Sequence, residues 1–130
     1  RGIRMGNRKK ILVVDDNQNF SQLMQCALED DFELFTASDG LEGVKKATEI
    51  VPDIILMDVM MPNISGIEMA RMLTAEEETR DIPIIVLTGS HMDKGVPNLF
   101  KQERNVRYFL NKTTPVMEIV ATVKKVLHGG

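Results

Sequence analysis

Short apolar runs alternate along the chain with longer segments in which apolar residues recur at helical spacing. The runs at residues 11–14, 54–57 and 84–87 are wholly apolar, which is typical of strands that are buried on both faces. Two further runs, at 32–37 and 106–111, mix apolar and polar residues. The pattern therefore predicts three central strands and two edge strands, where one side of the strand meets water.

Between these strands and after the last, apolar residues recur every three or four positions, as on the buried face of a helix. Such stripes lie around residues 20–28, 41–47, 67–73, 96–100 and 116–127. Pro97 interrupts the fourth stripe, so we expect a short or shifted helix there. Five strands that alternate with five helices predict a parallel sheet with helices on both faces.

The fold class follows from the positions of the apolar strands. We expect an α/β, flavodoxin-like, doubly wound (βα)5 sandwich, because its five-stranded parallel sheet of order 2-1-3-4-5 places the first, third and fourth strands in the centre. Ligands of this fold bind at the carboxyl ends of the strands, beside the switch point between strands one and three. We expect one domain over residues 10–128, after a basic flexible tail over residues 1–9.

Composition narrows the class of protein further. Of the 130 residues, 43% are hydrophobic and 27% are charged, which is enough apolar material for a packed core. The net charge of −3 argues against direct binding of nucleic acid, and no apolar run approaches the roughly 20 residues that a membrane span needs. Cys26 is the only cysteine, which excludes an internal disulfide and fits a reducing, cytoplasmic location.

Polar residues stand where the predicted strands end. Asp15 and Asp16 follow the first strand, Asp58 ends the third, Thr88 ends the fourth, and Lys112 follows the fifth. Because the carboxyl ends of parallel strands meet at one edge of a sheet, these side chains should converge there. Each residue alone would be an ordinary turn or cap residue, but their conjunction predicts a site.

A cluster of three carboxylates needs a compensating charge. Two carboxylates about 4 Å apart repel by about 4 kcal/mol at an effective dielectric constant of 20. Mg²⁺ would relieve this repulsion, since a few carboxylates leave coordination positions for water and phosphate. The cation and Lys112 would then neutralise a transferring phosphoryl group while Asp58 attacks in line and Thr88 donates a hydrogen bond. The chain has no P-loop, so a nucleotide is not the expected phosphoryl donor.

These residues occur in motifs that resemble a known family, the receiver (phosphoacceptor) domain of two-component response regulators. The resemblance extends over about residues 10–127. Its motifs are an acidic pair, a phosphoacceptor loop, a hydroxyl residue and a lysine: ILVVDDN at 11–17, DVMMP at 58–62 with Gly66 beyond it, Thr88-Gly89, and Lys112.

The resemblance implies a donor and a set of metal ligands. Asp58 would accept a phosphoryl group from the phosphohistidine of a sensor histidine kinase or of a histidine phosphotransfer protein. Asp16 would ligate Mg²⁺ directly and Asp15 largely through water. The backbone carbonyl of Met60 would supply a further ligand.

The resemblance also implies a switch. Lys112 and Thr88 would contact the phosphoryl oxygens, and Thr88 with Phe109 would form the switch pair. Phosphorylation would then change the face formed by the fourth helix, fifth strand and fifth helix. Strand parity places Phe109 on a polar side of its strand with Arg107 and Asn111. Simple packing of Phe109 under the fourth helix is the alternative.

The chain departs from the family pattern directly after Lys112, and Met60 beside the acceptor bears on dephosphorylation. Thr113 follows Lys112 where the family often has proline, so we expect either a trans peptide bond or a strained loop. Met60 stands two residues past Asp58 and cannot orient water by hydrogen bonding. We expect Met60 and Ser90 to tune dephosphorylation, and Met60 to make it slow.

We therefore predict a switch in phosphorelay signal transduction, with self-catalysed phosphotransfer and autodephosphorylation but no other enzyme activity. Two alternatives stay open: an unphosphorylated pseudo-receiver that serves as a docking module, and an aspartyl-phosphate phosphatase. A phosphatase would want an acid two residues past its nucleophile, where the chain has Met60. An output domain, a downstream protein and a homodimer also stay open as partners.

Overall fold

The structure is a computed structural model, and it describes residues 8–89 and 95–129. Within these residues, strands and helices alternate along the chain. The strands are β1 (Lys10–Val14), β2 (Glu33–Ala37), β3 (Ile54–Asp58), β4 (Ile84–Thr88) and β5 (Val106–Asn111). The helices are α1 (Gln18–Leu28), α2 (Gly40–Ile50), α3 (Gly66–Thr74), α4 (Gly95–Leu99) and α5 (Val116–Gly129).

All of these strands run parallel in one sheet, in the order β2-β1-β3-β4-β5. This order confirms the predicted doubly wound fold. The three wholly apolar runs form the central strands, and every residue of β3 and β4 is buried. β2 and β5 lie at the edges and are partly exposed, because their polar side chains need contact with water.

The sheet separates two apolar cores. Alternation along β1 sends Ile11 and Val13 towards α1 and α5, and sends Leu12 and Val14 towards α2 and α3. All four side chains are fully buried. A truncation such as Leu12→Ala would therefore lower the free energy of unfolding by about 2–5 kcal/mol. Packing on both faces holds β1 firmly, and with it the residues that follow the strand.

The region between β4 and β5 is the least regular part of the fold. α4 has five residues, as the interrupted stripe predicts. Ser90 belongs to the segment 90–94, which lies outside the described residues. The pairing of β4 with β5 is irregular near the start of both strands. This irregularity puts Val106 and Phe109 against the same core, so the assignment of Phe109 to a polar side was wrong.

Arg8 and Lys9, the first residues that the structure describes, lie beside the start of β2. Residues 1–7 of the predicted tail lie outside the described residues. Arg8 donates from Nη2 to the Phe32 carbonyl at 3.0 Å, and the Glu33 amide donates to the Lys9 carbonyl at 2.9 Å. The domain boundary at residue 10 stays a prediction. In the part of the chain that the structure describes, no helix is both long and apolar enough to cross a membrane.

Candidate functional site

Three carboxylates meet where β1 and β3 end. Asp15 directly follows β1 and Asp58 is the last residue of β3, and their exposed fractions are 0% and 7%. Asp16 is exposed to solvent. One carboxylate oxygen from each aspartate lies within 4.8 Å of the other two. The doubly wound topology thus brings acidic residues from the ends of two separate strands into one cluster.

Lys112 reaches into this acidic cluster from the loop after β5. Its Nζ lies 2.7 Å from Asp15 Oδ2 and donates a hydrogen bond to Asp58 Oδ2 at 3.2 Å. Within the described residues, Asp15 Oδ2 has this ion pair but no well-aligned hydrogen bond. The ammonium bridges two carboxylates, and the three aspartates with Lys112 carry a formal charge of −2 when all are ionised (three negative, one positive).

The Lys112 loop is built without the proline that the family often has. No peptide bond in the described residues is cis, so the bond between Lys112 and Thr113 is trans, one of the two expected geometries. The Asn111 side-chain oxygen accepts hydrogen bonds from the Thr113 amide and hydroxyl at 2.8 and 2.7 Å. This Asx turn, with the Lys112 amide donating to the Thr88 carbonyl at 2.9 Å, fixes the start of the loop.

Helix α1 gives Lys112 a second support. The Lys112 ammonium lies 5.2 Å from the ring centroid of Phe20, which is within cation–π range. Asn17 starts the helix: its side chain accepts from the amides of Asn19 and Phe20, and its own amide donates to Asp15 Oδ1 at 2.9 Å. The sequence presents Phe20 only as part of an apolar stripe, so this contact became visible only in the folded chain.

The loop after β3 returns close to Asp58. Gly66 begins α3, and a Cβ at that position would lie 2.7 Å from the Asp58 carbonyl oxygen, so a side chain there would require the backbone to shift. Ser65 and Glu68 form a capping box that starts the helix at this point. The Met60 amide donates to Asp58 Oδ1 at 3.4 Å, a long contact that leaves this oxygen weakly engaged.

Burial and like charge together set the ionisation of the cluster. Burial raises the pKa of Asp58 above its ordinary value, and the charge of Asp15 raises it further, against an opposing effect of Lys112. Burial lowers the pKa of Lys112, but hydrogen bonding and charge from Asp15 and Asp58 outweigh burial, so the pKa is raised. Lys112 therefore stays protonated, and ionised Asp58 is favoured when a further cation is present.

The donor set fits a hard divalent cation. Asp15, Asp16 and Asp58 offer only oxygen atoms, and a charge of −2 is left after Lys112 has been counted. Asp16 is exposed and opens the cluster to water. Mg²⁺ prefers a site of this kind, because it binds one or two carboxylates and keeps several water ligands. The Met60 carbonyl as a further ligand stays a prediction.

Thr88 and Phe109 lie on the β4–β5 side of the acidic cluster. The Thr88 hydroxyl is buried and lies 3.5 Å from the carbonyl oxygens of Gly89 and Leu110, at the limit of hydrogen bonding. The Phe109 ring packs against Phe100, directly after α4, with ring centroids 5.7 Å apart. This is the packing alternative that the sequence left open, and the role of Phe109 as a switch stays a prediction.

Comparison with known proteins extends over nearly the whole chain. The family model of the response regulator receiver domain matches residues 11–124. The alkaline phosphatase synthesis transcriptional regulatory protein PhoP of Bacillus subtilis is 37% identical over 120 residues, and the match covers 92% of this chain and 48% of PhoP. The polar-differentiation response regulator DivK of Brucella ovis is 32% identical over 120 residues, covering 92% of this chain and 96% of DivK.

Relatives also include a much longer protein. Hybrid signal transduction histidine kinase D of Dictyostelium discoideum is 35% identical over 117 residues, which are 90% of this chain and 7% of the kinase. The chain therefore spans less than half the length of this kinase and of PhoP.

A solved structure agrees with the fold. The chemotaxis protein CheY4 of Vibrio cholerae matches with a TM-score of 0.85 and 27% identity, over 92% of this chain and 99% of that protein. The sheet has the predicted order, three aspartates lie beside a lysine at its carboxyl edge, and the family model matches nearly the whole chain. These findings all point to one family. The chain belongs to the response regulator receiver domain family.

Proposed function

We propose that this domain is a phosphorylation switch in a two-component phosphorelay and that Asp58 is its phosphoacceptor. The receiver family is a family of signalling domains. One observation supports Asp58 over the buried Asp15. Asp15 has both oxygens engaged, by the Asn17 amide and by Lys112, whereas among the described residues Asp58 Oδ1 has only the long contact with the Met60 amide.

The reaction uses this weakly engaged oxygen as the nucleophile. An Asp58 oxygen attacks the phosphorus of a phosphohistidine, so that a P–O bond forms and the P–N bond breaks. The electron pair of the broken bond stays on the imidazole nitrogen, which takes up a proton. Lys112, already 3.2 Å from Asp58, neutralises charge on the phosphoryl oxygens, and Thr88 donates a hydrogen bond to one of them.

We also propose Mg²⁺ as the cofactor, held by Asp15, Asp16, Asp58 and the Met60 carbonyl. When bound, the ion supplies charge neutralisation to the phosphoryl oxygens. The engaged oxygens of Asp15 favour contact through water, and the exposure of Asp16 favours direct ligation. Both assignments agree with the roles that the family resemblance implies.

The switch pair is proposed to be Thr88 and Phe109. Within the described residues the Thr88 hydroxyl has only 3.5 Å contacts to break, so turning it towards a phosphoryl group costs little. This movement would open space beside β5, and Phe109 would turn into that space from its contact with Phe100. Phosphorylation would thereby shift the population between two shapes of the face formed by α4, β5 and α5.

Autodephosphorylation is proposed to be slow. Met60 is 77% exposed beside the acidic cluster, and its thioether cannot orient an attacking water molecule. The variant Met60→Asn should shorten the lifetime of the phosphorylated protein several-fold, measured as the decay of the phosphorylated species by mass spectrometry. An unchanged lifetime would contradict this role. Ser90, the other proposed tuning residue, lies outside the described residues.

The proposed phosphoryl donor is a sensor histidine kinase or a histidine phosphotransfer protein. The proposed recipient of the signal is an output domain or a downstream protein, because PhoP is named a transcriptional regulatory protein and DivK a response regulator that this chain covers almost fully. A cytoplasmic location, which the lone Cys26 favours, belongs to the same proposal. So does the absence of any enzyme activity beyond self-catalysed phosphotransfer and autodephosphorylation.

Acetyl phosphate tests the proposed acceptor. With Mg²⁺ present, intact mass measurement should show one phosphoryl group on the wild type and none on Asp58→Asn. Asp31→Asn is the matched control: it removes a surface carboxylate that pairs with Lys124, and it should be labelled like the wild type. A wild type that takes no label would favour the docking module, and continuous phosphate release from a phosphoester would favour the phosphatase. Equal labelling of Asp58→Asn would refute the assignment.

A further inference from the structure

A second charged region lies at the opposite end of the sheet from Asp58. There the segment after α3 and the segment before β5 border an open cavity of about 500 Å³. Asp81 and Asn105 in its lining stand before β4 and β5, at the amino ends of these strands. The strands extend for about 13 Å from this end, at roughly 3.3 Å per residue, so the cavity is separate from the acidic cluster.

Positive charge dominates this cavity. Its lining contains three exposed arginines, Arg80, Arg104 and Arg107. Of the two lining carboxylates, Glu103 is already paired, because Arg71 Nε lies 3.3 Å from its Oε2. Among the described lining residues only Asp81 then opposes the arginines, which leaves a formal charge of +2 in a chain whose net charge is −3. A concave surface with this charge attracts anions.

The lining also holds an unsatisfied amide. Asn105 is only 5% exposed, and neither its Nδ2 nor its Oδ1 has a hydrogen-bond partner within the described ranges. An unpaired buried polar group is destabilising, and native proteins usually satisfy such groups with protein atoms, water or a ligand. A buried amide without partners beside three arginines indicates that a polar group completes this part of the molecule.

We propose that the cavity binds a small, multiply charged phosphate anion. Guanidinium groups bind phosphate oxygens in a bidentate manner, so three of them around one cavity suit a ligand with two or three phosphate groups. The cavity volume of about 500 Å³ is typical of small-molecule sites, which run from about 300 to 1,000 Å³. The proposal does not depend on Asp58 being the phosphoacceptor.

Calorimetric titration of the full chain with pyrophosphate, and separately with ATP, tests the proposal. EDTA is added so that the acidic cluster holds no metal ion. The double variant Arg104→Gln/Arg107→Gln should bind either anion at least about tenfold more weakly than the wild type, a loss of about 1.4 kcal/mol or more. Arg80→Gln, which acts from the other wall of the cavity, should weaken binding in the same direction.

A matched control separates a site from a general charge effect. Lys45→Gln/Lys124→Gln removes the same charge from exposed positions on α2 and α5 and should bind like the wild type. Equal weakening in both double variants, or no binding of either anion by the wild type, would overturn the proposal. Thermal unfolding of each variant verifies that the fold is kept, and if the arginine double variant unfolds, Arg80→Gln alone decides.

NMR locates the bound anion. Pyrophosphate should shift the side-chain amide of Asn105 and the backbone amide of Arg107, and should leave the backbone amides of Asp15 and Lys112 unchanged. Shifts confined to the acidic cluster would overturn the site. Binding of ATP about tenfold tighter than pyrophosphate would support the site and identify nucleoside phosphates as its ligands. Equal affinities would support recognition of the phosphate groups alone.

Discussion

At the carboxyl ends of the strands, Asp15 and Asp58 are buried and share one ammonium group, that of Lys112. At the amino ends of β4 and β5, Arg104 and Arg107 line an open cavity and are exposed to water. Charges that are close and buried act strongly on one another, whereas exposed charges are screened by solvent and salt. The charges at the carboxyl end of the sheet are therefore strongly coupled, whereas those at the amino end are screened and act nearly independently.

This difference predicts how each end responds to substitution. Groups in direct contact give effects that are not additive, and distant exposed groups give effects that add. A change in the acidic cluster should alter metal binding, phosphorylation and stability together. A change in the arginine-lined cavity should alter anion binding and leave the other properties as they are.

Removing the ammonium from the acidic cluster should have the largest effect. Lys112→Gln leaves Asp15 and Asp58 facing each other without their shared partner. The rate of phosphorylation by acetyl phosphate with Mg²⁺ should fall by about 100-fold, the usual effect of losing one group that stabilises charge in a transition state. Intact mass measurement over time gives the rate.

Arg107→Gln is the control at the opposite end of the sheet. It also removes one positive charge, but from the arginine-lined cavity, and it should be phosphorylated like the wild type. If Lys112→Gln is phosphorylated as fast as Arg107→Gln, Lys112 has no part in the proposed mechanism. The two ends of the sheet would then not differ in their effect on phosphorylation.

The affinity for Mg²⁺ should fall with decreasing pH. Burial raises the pKa of Asp58, and the charge of Asp15 raises it further. A proton therefore competes with the cation for Asp58 at a higher pH than it would for an ordinary carboxyl group. Below that pKa, the apparent affinity should fall by about tenfold per pH unit, the limit for one displaced proton. The chain has no tryptophan, so calorimetry is the suitable measurement. An affinity that stays constant from neutral to acidic pH would argue against Asp58 as a ligand.

Asp58→Asn should raise the melting temperature by a few degrees in EDTA at neutral pH. A carboxyl group whose pKa is raised in the folded state stabilises the fold at low pH, and this contribution is lost as pH rises through the folded-state pKa. The asparagine avoids that loss, and Lys112 keeps its ion pair with Asp15 at 2.7 Å.

The gain should therefore disappear when the pH falls below the ordinary pKa of an aspartate, and Mg²⁺ should reverse it by stabilising only the wild type. Asp31→Asn, on the surface, should show no such pH dependence. A lower melting temperature of Asp58→Asn in EDTA would contradict the raised pKa.

Much of the acidic cluster could be predicted because few features decide it. The apolar runs at 11–14, 54–57 and 84–87 specify the central strands, and the doubly wound topology then brings the residues after them to one edge. The hydrophobic pattern is sufficient for this step, because placing the strand ends does not require the packing of individual side chains. Lys112 was predictable for the same reason, since it follows the strand at the edge of the sheet.

Other features depend on packing that the pattern does not contain. The irregular pairing of β4 with β5 turned Phe109 towards the core that contains Val106, although alternation predicted a polar side. The Asx turn at Asn111 replaces the missing proline, and asparagine two residues before Thr113 is a turn signal that could have been found. The cavity is lined from separate segments that share no motif, so its arginines were not foreseeable as a group.

The ring of Phe20 supplies the smallest effect that we predict at the acidic end. It lies 5.2 Å from the Lys112 ammonium, and a cation–π contact of about 1 kcal/mol corresponds to about a fivefold change in rate. Phe20→Leu should therefore slow phosphorylation by acetyl phosphate about fivefold, whereas Phe20→Tyr keeps the ring and should react like the wild type. Melting temperatures separate this effect from lost packing, because leucine fills most of the same space. If Phe20→Leu lowers the melting temperature but leaves the rate unchanged, the ring serves only the core, and the Asx turn and the two carboxylates alone place Lys112.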